Sequence, residues 1–147
     1  MINQKQYRDS VQAIEKLAQL LRYVIEETRS EKVSLSQEIR FIENFTSLQM
    51  LRFDPSEVDF SISVNGNPRE RKVEPGLFLP FIENAFKYGT QPEVKSEIKI
   101  AFDLTQDNFI SFSVTNPIHD KSVSHRIGTG IATTKNRLKL VYADQFQ

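Results

Sequence analysis

The run Phe81-Ile82-Glu83-Asn84-Ala85-Phe86-Lys87-Tyr88-Gly89 decides how this chain is read. At about 100° per residue, Phe78, Leu79, Phe81, Ile82, Ala85 and Phe86 share one broad arc of a helix, and Glu83, Asn84 and Lys87 share the complementary arc. The apolar arc must be buried, while the polar arc can bring a carboxylate, a carboxamide and an ammonium together. A magnesium ion takes oxygen ligands and keeps several waters, so the Asn84 carboxamide plus phosphate oxygens would suffice to hold one. Glu83 would then orient or deprotonate a water or hydroxyl, and Lys87 would offset phosphate charge. An ordinary solvated face is the alternative, because all three residue types are common on exposed helix positions. The helix is expected near residues 76–88, with Gly89 ending it in the left-handed position that follows many helices.

Outward from this helix, strands surround it. Val58 to Val64 alternates, and Asn65-Gly66 marks a turn that could open a hairpin into Lys72-Val73. Ile98, Ile100, Phe102 and Leu104 alternate with polar residues, as do Ile110, Phe112 and Val114, with Gln106-Asp107-Asn108 between them, so a second, half-buried hairpin is expected. A polar, glycine-bearing stretch runs from Asn116 to Gly130, and a helix is expected from about Ile131 to Tyr142.

Toward the N-terminus the period changes to that of helices. From Ser10, the residues Val11, Ile14, Leu17, Ala18, Leu21, Val24 and Ile25 recur three and four apart, a stripe that needs a partner. Ser34 stands three residues before Gln37 in a capping-box arrangement, and Ile39, Ile42, Phe45, Leu48 and Leu51 continue a second helix that Asp54-Pro55 ends. Two helices that simply pack together satisfy this pattern. There are no internal repeats and no low-complexity segment.

Composition narrows the function. The 147 residues suit one domain with a modest core, preceded by a short helical module. Lys plus Arg and Asp plus Glu both count 19, which gives no net drive toward nucleic acid or anionic lipid. No nucleic-acid partner is expected. The absence of cysteine removes disulfides, thiol nucleophiles and cysteine-ligated zinc. No apolar run approaches the roughly 18 residues of a membrane span, so the chain as given reads as soluble.

Phosphate binding also needs backbone donors. Gly128-Thr129-Gly130 lies directly before an expected helix, where free N–H groups favour an anion; a flexible turn is the alternative. Asn116-Pro117 sits at the exit of an alternating strand, where a side chain can reach past the sheet edge into a pocket, or simply end the strand in a turn.

The order of these pieces resembles the ATP-binding domain of histidine kinases and its wider superfamily with gyrase, the heat-shock chaperone ATPases and mismatch-repair MutL. Upstream, Leu20-Leu21-Arg22-Tyr23, Val33-Ser34-Leu35 with Glu38-Ile39, and Leu51-Arg52-Phe53 resemble the Lyt-type sensor histidine kinases. The resemblance extends over about residues 14–146 and is most specific from Phe81 to Gly89. It implies an α+β fold, a two-layer α/β sandwich of the histidine-kinase ATPase (Bergerat) type preceded by two helices. Residues 1–54 would be the helical segment of the dimerisation region and linker, and residues 55–147 the ATP-binding domain, lacking closing strands at its C-terminus.

The resemblance also assigns roles. Asn84 becomes the magnesium ligand, Glu83 the catalytic partner near the γ-phosphate, and Lys87 a nucleotide or phosphate contact. Tyr88 stands where this family often has histidine. Asn116 matches the position of the adenine-reading aspartate; its amide oxygen could still accept from the adenine amino group, without the charge. Pro117 and Ile118 depart from the pattern that follows that aspartate. Gly128, Thr129 and Gly130 match the glycine box, Thr133 stands where the family usually has asparagine, and Arg137-Leu138 and Tyr142 match the following helix.

The implied cofactors are ATP and Mg2+. The implied partners are a second copy in a homodimer and a LytTR-type response regulator. Family members carry their phosphoacceptor histidine in a Pro-His-Phe-x-Phe-Asn segment, which is not in this sequence; His119 and His125 would be lid residues. That departure leads to the expectation of a piece of a longer protein, the cytoplasmic part of an inner-membrane kinase. Two rivals are a nucleotide-free interaction module, suggested by Asn116-Pro117 and Thr133, and a split ATPase of the mismatch-repair or chaperone branch.

Overall fold

The computed structural model describes residues 3–26, 29, 31–91 and 93–117. Its first element is helix α1, Gln4–Glu26, which begins ahead of the expected Ser10. The cause is local: the Gln6 N–H donates to Asn3 Oδ1 at 2.9 Å and the Asn3 N–H donates to Gln6 Oε1 at 3.2 Å, a reciprocal cap on the first turn. Strand β1, Val33–Ser34, leads into helix α2, Leu35–Met50. The expected capping box is present, with the Gln37 N–H donating to Ser34 Oγ and the Ser34 N–H to Gln37 Oε1.

Three strands form the main sheet in the order β2, β4, β5: Val58–Asn65, Ser96–Asp103 and Ser111–Thr115. Strand β3, Lys72–Val73, and helix α3, Leu79–Gly89, lie between β2 and β4 in the chain. β4 and β5 form the expected antiparallel hairpin. The other expected hairpin does not form. β2 instead runs parallel to β4 over its whole length, and β3 pairs antiparallel with β1, Val33 opposite Val73.

The register explains the preference. Parallel pairing sets Phe60 opposite Ile98, Ile62 opposite Ile100 and Val64 opposite Phe102, and the hairpin sets Ile100 opposite Val114 and Phe102 opposite Phe112. The large apolar side chains of these pairs therefore share one face. The other face carries Asp59, Ser61, Ser63, Glu97, Lys99, Ser113 and Thr115. A two-residue β3 could not match that pairing. Gly66 serves a different purpose from a hairpin turn: at φ +103° it lies against Leu104, and a Cβ there would be 2.8 Å from the Leu104 Cβ.

Helix α3 covers the apolar face of β4 and β5, giving two layers, and Ile82, Ala85 and Phe86 join Ile98, Ile100 and Phe102 in the core. α2 contributes Leu35, Ile39 and Ile42 to that same core. Phe78 stands edge-on to Phe102 with centroids 5.2 Å apart, and Phe112 lies 5.0 Å from Phe102. α1 is different, for none of its residues is buried. It rests on α2 through half-buried Ala13, Lys16, Leu20 and Tyr23, while Tyr7, Val11, Ile14, Leu17, Leu21, Val24 and Ile25 stay 36–66 % exposed.

Two exposed aspartates close the loops. Asp54 accepts from the Ser56 N–H at 2.9 Å and from Ser56 Oγ at 2.7 Å, and the backbone bond first, then the hydroxyl, holds its carboxyl below the usual range. Asp103 is lowered in the same way, chiefly by the Thr105 hydroxyl and then by the Thr105 N–H. A lowered carboxyl stabilises the fold above its unfolded value, and that contribution disappears as pH falls through the folded value. Carboxyl-carbon NMR titration is expected to place both below a free aspartate; a value at or above it for either would contradict these bonds.

Candidate functional site

Helix α3 is built to project a polar edge from a buried base. Pro80 lies in its first turn, where a missing N–H costs nothing. At the far end Thr90 turns to extended backbone, and its hydroxyl donates to the Phe86 carbonyl at 2.6 Å, satisfying one of the free end groups. Gly89 is the last helical residue and is not among the positive-φ glycines, so it does not act as a left-handed cap. Its role is close approach: a Cβ at Gly89 would lie 2.7 Å from Asn116 Cβ and 2.9 Å from Asn116 Nδ2. The glycine lets the exit of β5 seat against the end of α3.

That contact unites residues distant in sequence. Glu83 and Lys87 are exposed, and Asn84, Tyr88 and Asn116 are half-buried. Asn84 lies at the middle of α3, five residues and about 7.5 Å along the helix axis before Gly89, the residue that meets Asn116. Asn116 Nδ2 donates to the Pro117 carbonyl at 3.0 Å, which leaves its amide oxygen as an acceptor.

Lys87 departs from the expected convergence. Its Nζ lies 5.1 Å from the centroid of the Tyr88 ring, a cation–π arrangement. The ammonium is held over the Tyr88 ring. Gly128, Thr129, Gly130, Thr133 and Arg137 lie outside the described residues, as do His119, His125, Tyr142 and the helix expected from Ile131.

The donor set suits a hard cation shared with phosphate. No group of three or more His, Cys, Asp or Glu side chains among the described residues could form a cage by itself. One half-buried carboxamide beside an exposed carboxylate is the kind of partial shell that magnesium uses when phosphate oxygens and waters complete it.

Glu38, which enters the sequence reading only through the upstream resemblance, has a structural role in the apolar stripe of α2. It is fully buried, accepting from the Tyr23 hydroxyl and from the Gly76 N–H at 3.0 and 3.2 Å to its two oxygens. The signal was its place three residues after Leu35 and four before Ile42, inside the apolar arc.

Residues 1–57, which contain α1 and α2, match the family model described as histidine kinase. Over 95 residues the chain is 32 % identical to the sensor protein kinase HptS of Staphylococcus aureus strain USA300, and equally to that of strain NCTC 8325 / PS 47. Both similarities support a sensor histidine kinase. The aligned part is 65 % of this chain and 18 % of the relative, so the chain spans a small fraction of the curated relatives it matches. Among the described residues no helix is long and apolar enough to cross a membrane.

Proposed function

We propose that this chain is the nucleotide-binding part of a Lyt-type sensor histidine kinase, with residues 1–54 as helical segment and 55–147 as an ATP-binding domain of Bergerat type. The observation that carries the reading is α3 itself: Glu83, Asn84 and Lys87 rise from a helix whose base is core and whose end is fitted to Asn116 through Gly89. Similarity to a sensor protein kinase over 95 residues supports the histidine-kinase part of this reading.

In this reading Asn84 holds magnesium together with phosphate oxygens, Lys87 balances phosphate charge, and Asn116 accepts from the adenine amino group beside Tyr88. Magnesium, when bound, neutralises charge developing on the transferred phosphoryl group. Glu83 orients the attacking group near the γ-phosphate. By the resemblance alone, Gly128, Thr129, Gly130, Thr133 and Arg137 are assigned to nucleotide binding. In the whole protein the γ-phosphoryl group passes from ATP to a histidine and then to an aspartate of a LytTR-type response regulator, with this part on the cytoplasmic side of the inner membrane. ATP with magnesium should raise the thermal midpoint of the chain, and EDTA should abolish the rise; a midpoint indifferent to ATP would overturn the reading.

The kinase would work as a homodimer, and α1 supplies the face. Tyr7, Val11, Ile14, Ala18, Leu21 and Ile25 follow one another at alternating spacings of four and three, the seam of a coiled coil. Sedimentation equilibrium is expected to show dimers that the paired substitutions Ile14→Asp and Leu21→Asp convert to monomers. Dimers that survive both changes would contradict use of this face.

A further inference from the structure

Glu38 is the charged side chain that the fold buries completely among the described residues, and three elements meet on it. Tyr23 reaches it from α1, its ring stacked on Phe41 of α2 with centroids 4.5 Å apart. The Gly76 N–H reaches it from the turn before α3, donating to both carboxyl oxygens. Gly76 sits at φ +75°, a conformation that side chains rarely adopt, so the direction of its N–H is fixed by the turn. Leu77 and Phe78, the residues joining Gly76 to the start of α3, are buried. Little slack therefore separates Glu38 from the helix that carries Asn84.

A buried carboxyl depends on its donors, and loss of one raises what the remaining bonds must bear. α1 is the element most able to move, since it has no buried residue and rests on α2 through a narrow edge. From these observations we infer that Tyr23, Glu38 and Gly76 form a mechanical link through which α1 sets the position of α3, and so the presentation of Asn84 to a phosphate-bound cation. Glu38 is in this account a positioning residue. When α1 shifts and takes the Tyr23 hydroxyl with it, Glu38 re-aims, the Gly76 turn follows, and α3 starts from a different place. The coupling is reciprocal, so occupancy at α3 steadies α1. The link rests on the nucleotide reading only for what α3 grips.

Hydrogen–deuterium exchange on the whole chain separates the two. Tyr23→Phe keeps the ring stack on Phe41 and removes one hydroxyl. It is expected to accelerate exchange of amides 76–82 by about tenfold, the scale of one hydrogen bond to a charged group, although Tyr23 belongs to another element. Magnesium with a non-hydrolysable ATP analogue should slow exchange in residues 16–26 of the parent chain and not of the variant. Glu38→Gln, which keeps the volume, should accelerate both 76–82 and 16–26. Acceleration confined to α1 and α2 in both variants would reduce Glu38 to local packing and overturn the link. If amides 76–82 respond but the analogue binds nowhere, the link stands and the nucleotide reading falls; if the analogue binds alike in all three and 76–82 never respond, the link falls alone.

Discussion

Replacing Phe102 by alanine is expected to lower the unfolding free energy by about 3–5 kcal/mol, the range for a buried aromatic truncated in a packed core. Phe102 is 1 % exposed and sits where the sheet meets α3, edge-on to Phe78 and tilted against Phe112. The change removes a large apolar surface and two ring contacts, and a β-strand held on both sides cannot collapse to fill the space. Domains of this size have total stabilities of about 5–15 kcal/mol, so a marginal chain would be largely unfolded. Urea titration followed by far-ultraviolet circular dichroism measures it. Phe109→Ala is the control: that ring is 65 % exposed in the loop between β4 and β5, and its loss should stay within about 0.5 kcal/mol. A Phe102→Ala chain within about 1 kcal/mol of the parent would mean that the apolar sheet face is not covered as described.

Much of this fold is legible residue by residue. The Ser34–Gln37 box fixes where α2 begins, because side-chain oxygens there must meet free backbone donors, and the pattern is local. The alternation through Ile98, Ile100 and Phe102 and through Phe112 and Val114 fixes the β4–β5 hairpin for the same reason. The partner of β2 was not legible. Asn65-Gly66 is a strong hairpin signal, yet a parallel partner 38 positions away in register, Ser96 opposite Val58, offers more apolar matching than a two-residue strand. Long-range pairing of that kind leaves no local mark.

The candidate site divides in the same way. Helical periodicity is enough to put Glu83, Asn84 and Lys87 on one polar arc and to bury Ile82, Ala85 and Phe86. What periodicity cannot supply is the neighbour across the gap. Gly89 looked like a left-handed cap, because glycine ends many helices, and its actual office is to admit Asn116. Lys87 could be placed on a face but not turned toward Tyr88, a matter of rotamer and local rings. Glu38 carried a readable sign, an acid inside an apolar arc, whose donors Tyr23 and Gly76 come from elements far apart in the chain.

Asn84 concentrates the functional account. Its side chain is half-buried on the outer edge of α3, and alanine is the strongest helix former, so Asn84→Ala should leave stability within about 0.5–1 kcal/mol of the parent. The same change removes the carboxamide oxygen that the proposed function assigns to the cation. Effects on binding and on folding are therefore separable in this variant, which is not true of any core substitution.

The most direct measurement is a calorimetric titration of ATP in magnesium into the parent chain and into Asn84→Ala, each repeated with EDTA. The account predicts weak binding to the parent that requires magnesium and is abolished in Asn84→Ala, with both chains equally folded. Unchanged ATP affinity in the folded Asn84→Ala chain, or no binding to the parent at all, would contradict it.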